Sequence, residues 1–182
     1  RAETGSVNIP RTLDRLAAAR AGTIAPMSTA QRAALATIFT DFPYGDYLFP
    51  DSLSVIQTLR QDARVAILSD GDPMYQARKI WRSGLLAAVD GAAMVFPDKT
   101  QHLREAAAFY PADQYVIVDD KATVLRRARE EFGDAVVTVH MNHGPYAQTV
   151  GEDAASAIDV QLTRISELPA LLEGMRKSRR GQ

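Results

Sequence analysis

The sequence predicts an α/β protein: a parallel sheet flanked by helices, preceded by a helical segment. Two observations carry this. From Arg64 onward, short apolar runs alternate with amphipathic stretches, as strands and crossover helices do in a parallel sheet covered on both faces. The first 62 residues, by contrast, are helical in pattern.

The helical part opens near Pro10, suited to a first helical position because its missing N–H would have no partner there. Leu13, Leu16, Ala17 and Ala21 share one face from Thr12 to Ala21, and Gly22 ends that helix. Ser28 to Thr40 carries a second stripe of Ala34, Leu35, Ile38 and Phe39. A turn-rich segment with Pro43, Gly45 and Pro50 leads to a third helix, which starts near Asp51, a good N-cap, and runs to Gln61.

Then the period changes. Arg64 to Ser69 is a buried strand, Met74 to Arg82 a helix closed by Gly84, Ala92 to Phe96 a second strand and Thr100 to Phe109 a helix. Tyr115 to Val118 forms the next strand, and Ala122 to Phe132 a helix ended by Gly133. Ala135 to Val139 is a fourth strand, Ala157 to Leu162 a weaker fifth, and Leu168 to Arg176 the last helix. The basic residues from Arg176 to Arg180 read as a solvated end.

Bulk properties exclude several classes. With 21 basic and 22 acidic residues the net charge is −1, so nothing draws the chain to nucleic acid or an anionic membrane. No cysteine is present, which removes disulfides and thiolate-ligated metals and is compatible with a cytoplasmic protein. No apolar run approaches the roughly 18–20 residues of a membrane helix. At 182 residues one well-buried core with a small appendage is expected.

Strand ends in an open α/β sheet face the crevice where ligands bind, and three of them carry chemistry. The first ends Ser69-Asp70-Gly71. The Ser69 hydroxyl and the amide after it could bind a phosphate oxygen while glycine lets the backbone approach; the same three residues also suit an ordinary turn. The second strand is followed by Lys99, which at a helix start opposes the macrodipole and so calls for a phosphate or carboxylate partner. The third ends in Asp119-Asp120. Adjacent carboxylates repel unless a cation offsets them, and Mg²⁺ is commonly held by one or two carboxylates plus waters and phosphate oxygens; alternatively, Asp120 caps the helix that follows.

Together, the run ending at Ser69, Lys99, and Tyr115-Val116-Ile117-Val118-Asp119-Asp120-Lys121 resemble the second, third and fourth motifs of the haloacid dehalogenase (HAD) superfamily. Arg78-Lys79 and Arg82-Ser83-Gly84-Leu85 add to the resemblance, which spans about residues 40 to 148. It implies a HAD-like Rossmannoid sheet, with residues 1–50 as part of a helical cap of the C1 type and 51–182 as the α/β core. It implies a Mg²⁺-dependent phosphohydrolase acting on a small phosphorylated metabolite. Ser69, with Asp70 and Gly71, would bind the phosphoryl group; Lys99 would neutralise phosphate and nucleophile; Asp119 and Asp120 would hold the metal.

The superfamily's first motif, a strand ending Asp-x-Asp-x-Thr or Val, supplies a nucleophile that becomes an aspartyl-phosphate, splitting one displacement into two easier ones. It precedes the cap in family members, and its strand lies centrally in the sheet. The chain, which starts at Arg1, is therefore expected to be a truncated form of a longer protein. Asp70-Gly71-Asp72 is a rival first motif, disfavoured because Met74 stands where Thr or Val belongs. A receiver domain is excluded because only 62 residues follow Asp120. A non-catalytic HAD-like binding protein or remnant is the alternative from another class, and a dehalogenase a third.

Other residues carry less. His140 and His143 are expected to be partly exposed, His102 solvated, Arg78 and Lys79 part of a charged face, and Trp81 core. Phe42, Tyr44, Tyr47 and Phe49 form an aromatic junction suited to packing or to a substrate wall.

Overall fold

The computed structural model describes residues 9–20, 27–143 and 155–180 and is an α/β structure of parallel strands and flanking helices. In chain order these are α1 (Ile9–Arg20), α2 (Thr29–Thr40), α3 (Ser52–Leu59), β1 (Ile67–Asp70), α4 (Pro73–Arg82), α5 (Leu85–Ala88) and β2 (Ala93–Phe96). They are followed by α6 (Leu103–Phe109), β3 (Tyr115–Asp119), α7 (Ala122–Phe132), β4 (Val136–Met141), β5 (Val160–Leu162) and a helix over Leu168–Arg180. Gly22, expected to stop the first helix, lies outside the described residues. Among the described residues no helix is long and apolar enough to cross a membrane.

The chain divides into two compact units, each discontinuous in sequence: Arg1–Leu48 with Ala66–Asp98, and Phe49–Val65 with Lys99–Gln182. In the first, β1 pairs in parallel with β2, Ser69 opposite Val95 and Asp70 opposite Phe96. The strand starts at Ile67 rather than Arg64, whose guanidinium instead lies 5.1 Å from the centre of the Tyr110 ring in the second unit's own packing. A capping box starts α2: the Ser28 hydroxyl accepts from the Gln31 amide, and the Gln31 side chain accepts from the Ser28 amide. The far end of α2 is held by α4, where Arg78 Nε donates to the Thr40 carbonyl at 3.0 Å and its guanidinium pairs with Asp41 at 2.9 Å. A cation on the last carbonyls of a helix is favourable on both counts, so Arg78 latches two helices. Asp72 caps α4 through the Tyr75 amide, and Pro73 takes the first helical position.

Trp81 is a correction. It is 56 % exposed, with the Arg78 guanidinium 5.1 Å from its ring centre. Ile80 is the residue α4 buries, and one residue further turns a side chain about 100° around the helix.

In the second unit β4 lies between β3 and β5, all parallel. Residues Val136 to His140 are buried without alternation, as a strand covered on both faces requires. Val137 and Val139 form a core with Leu162 and Leu168, against which Leu59, Val118, Leu171, Leu172 and Met175 pack. On α7, Ala122, Val124, Leu125 and Ala128 are buried at helical spacing, and Gly133 takes a positive φ of 53° at its end. Fully burying such aliphatic side chains contributes about 1.5–3 kcal/mol each. The third helix begins as expected after Asp51, although that residue adopts left-handed φ of 66° and makes no side-chain cap bond.

Candidate active site

Parallel pairing in the second unit carries the Asp119-Asp120 pair to the end of β3, beside the end of β4, with Asp119 in register with His140. The adjacent carboxylates are not a cap. The N-cap of α7 is Lys121, one residue beyond Asp120, and it makes no side-chain cap bond. Instead Asp119 is held twice: its Oδ1 accepts from the Lys121 amide at 2.9 Å, and its Oδ2 takes the ammonium of Lys99. Lys99 lies in a short 3₁₀ turn, Lys99–Gln101, ahead of α6 rather than inside a longer helix. Both side chains are nearly buried, 10 and 9 % exposed. Lys99 thus has the carboxylate partner expected of it, in Asp119, although it precedes α6 and does not stand at the helix start that suggested one.

Asp120 is the carboxylate left with an electrostatic demand. Burial pushes its carboxyl above the ordinary value, and the charge of Asp119 adds to the rise, while Lys99 and Lys121 oppose it only in part. A cation at Asp120 would relieve that demand. The donors present are two carboxylates from consecutive residues, hard oxygen ligands of the kind Mg²⁺ takes in ones or twos, so they fit the ion. Among the described residues no group of three or more His, Cys, Asp or Glu side chains could hold a metal.

Ser69, Asp70 and Gly71 end β1 in the first unit. The Gly71 amide continues the ladder by donating to the Phe96 carbonyl at 2.9 Å, and its φ of 129° is one that glycine tolerates. A Cβ there would stand 3.1 Å from Nε2 of Gln76, which in turn donates to the Asp70 carbonyl at 3.1 Å. Gln76 therefore braces the turn after Ser69, a role its position on α4 gave no sign of.

His140 was expected to be partly exposed, and it is buried, 1 % accessible within β4. Its Nε2 lies 3.1 Å from the main-chain carbonyl of Asp120. The sign in the sequence is its place in a strand that is otherwise apolar apart from Thr138. His143 is exposed, its ring 4.2 Å from that of Phe49. Arg78 is spent on α2, as described above, and Lys79 is exposed.

No family model matches the chain, and no curated protein matches it. A solved structure from Burkholderia xenovorans LB400, described as a haloacid dehalogenase-like hydrolase, is similar over 93 % of this chain and 76 % of its own, with 29 % identity and a TM-score of 0.76. Such a likeness, over nearly the whole length of a chain whose own strand ends carry a serine, a lysine and paired aspartates, supports the resemblance of this chain to haloacid dehalogenase-like hydrolases and shows that it shares their fold.

Proposed function

We propose that the chain belongs to a Mg²⁺-dependent phosphohydrolase acting on a small phosphomonoester through an aspartyl-phosphate. The observation that carries this is the buried Lys99–Asp119 pair beside Asp120, a carboxyl that burial and a neighbouring charge make hard to ionise without a cation. Lys99 supplies fixed positive charge toward a phosphoryl oxygen. By the resemblance, Ser69 and the Asp70 amide at the end of β1 in the first unit would bind phosphoryl oxygen, with Gly71 allowing the close approach. Asp119 keeps the ammonium in place, and Asp120, with Asp119 at its side, holds the ion. Mg²⁺, when bound, neutralises the negative charge that gathers on the transferring group. The aspartate that accepts the phosphoryl group is not assigned to any of these residues. By the resemblance, residues 1–50 would form part of a cap that selects the substrate.

A non-catalytic binding protein is the second reading, favoured by one observation: the Asp119 carboxylate has a cationic partner in Lys99. Hydrolysis of p-nitrophenyl phosphate with and without Mg²⁺ separates the two. A form of the protein that carries the first-motif aspartate turns the ester over only with Mg²⁺ and loses that activity when Asp119→Asn is combined with Asp120→Asn. Retained turnover in the double variant would overturn the metal assignment. Binding of orthophosphate with no turnover even by a form that carries the first-motif aspartate favours the second reading.

A further inference from the structure

The imidazole of His140 is almost wholly enclosed, yet among the described residues only one of its nitrogens has a partner. Nδ1 is buried and has no hydrogen-bond partner among the described residues. Nε2 faces the Asp120 carbonyl at 3.1 Å; a carbonyl oxygen can only accept, so the proton is on Nε2. The strand around it is built from buried Val136, Val137 and Val139, and its one other polar member, Thr138, has partners for its hydroxyl in the Ala157 carbonyl and in Asp159. An aliphatic residue at position 140 would fill the same layer without stranding a polar atom, and buried polar groups left without partners are uncommon. Packing alone does not account for the histidine. What it supplies that valine or leucine could not is a donor to the main chain between the two site carboxylates and α7.

We propose that His140 is a positioning residue: its Nε2–H holds the Asp120 carbonyl, fixes the main chain where β3 turns into α7, and so sets where the Asp120 carboxylate meets a divalent cation. This rests on the metal reading of the aspartate pair. The register of the sheet makes the arrangement direct, since His140 pairs with Asp119 across the β3–β4 ladder and reaches one residue further to Asp120. Donors that orient a metal-binding segment commonly affect affinity about 10–100-fold when removed.

The test uses Mn²⁺ as a paramagnetic stand-in for Mg²⁺, with free ion measured by electron paramagnetic resonance for the unaltered chain, His140→Phe and His140→Gln. Phenylalanine keeps a ring but has no donor; glutamine keeps an N–H. The unaltered chain binds Mn²⁺, His140→Phe binds it at least about tenfold more weakly, and His140→Gln lies closer to the unaltered chain. A ¹⁵N spectrum of the unaltered protein places the His140 proton on Nε2, an assignment that stands even where a variant fails to fold. Equal Mn²⁺ affinity in His140→Phe and the unaltered chain, or a proton found on Nδ1, would overturn the positioning role alone. Failure of the unaltered chain to bind Mn²⁺ would overturn the metal reading and this role with it.

Discussion

The ammonium of Lys99 rests on the Asp119 carboxylate with both side chains nearly buried, across 20 residues of sequence. Two charges removed from water together are tolerable; one alone is not. Lys99→Met should therefore destabilise the protein by about 3–5 kcal/mol, the usual cost of leaving one member of a buried pair uncompensated. Adding Asp119→Asn should recover much of that loss. Urea unfolding of the two single variants and the double variant measures the coupling, and additive losses would show that the pair contributes no mutual stabilisation.

Asp120 gives a pH signature. Its carboxyl titrates above the ordinary 3.8 because of burial and then the Asp119 charge. An acid whose folded value is raised favours the folded state fully below the unfolded value, and that contribution is lost as pH rises through the folded value. Asp120→Asn, which never ionises, should therefore be more stable than the unaltered protein at pH 7. The difference should shrink toward nothing below about pH 4, near the ordinary aspartate value. Thermal melts at pH 3.5, 5 and 7 in metal-free buffer check the trend, and saturating Mg²⁺ should narrow the gap at pH 7 by binding the native carboxylate.

Thr138 ties β4 to the chain entering β5. Its hydroxyl donates to the Ala157 carbonyl at 2.6 Å and accepts from the Asp159 amide at 3.0 Å, while the Asp159 carboxylate takes the Thr138 amide at 2.8 Å. Thr138→Val keeps the shape but removes the hydroxyl's bonds, the one to the Ala157 carbonyl among them, so a loss of about 1–3 kcal/mol is expected in denaturant unfolding. Thr138→Ser should cost less, since it restores the hydroxyl.

Removing the latch on α2 should act locally. Arg78→Met keeps the aliphatic stem but loses the bonds to Thr40 and Asp41, a change of about 0.5–1.5 kcal/mol on the scale of partly exposed hydrogen bonds. Hydrogen exchange should quicken in the last turn of α2 and leave β3 and β4 unchanged. Uniform loss of protection would point to global destabilisation instead.

Legibility in the sequence followed the strength of the local physics. Helix α7 is found as expected, Ala122 to Phe132, because its buried residues recur at helical spacing and Gly133 supplies a backbone conformation that few other residues adopt. The strand ending at Asp119 is a continuous apolar run and was equally plain. Arg64 to Ala66 misled because an apolar run bears no mark of where pairing begins, and Arg64 is drawn to Tyr110 instead. Trp81 misled because size suggests burial, whereas its neighbour Ile80 holds the inward face. Within the site, Lys99 has the expected carboxylate partner, although the helix-start position that suggested it is not where Lys99 lies. The partner of His140 was not legible, since a contact between β4 and the main chain after β3 is a product of parallel register and has no local trace.

The division of each unit into separated stretches of chain has a consequence for synthesis. Leu59 belongs to the same core as Val137, Leu162 and Leu168, yet about a hundred residues must still be translated after it before the last of these exists. At roughly 5–20 residues per second the apolar side of α3 waits on the order of 5–20 s for its neighbours, and the segment Ala66–Asp98 of the other unit emerges during that interval. The stretches Arg1–Leu48 and Ala66–Asp98 of the first unit thus emerge before the second unit can close around α3.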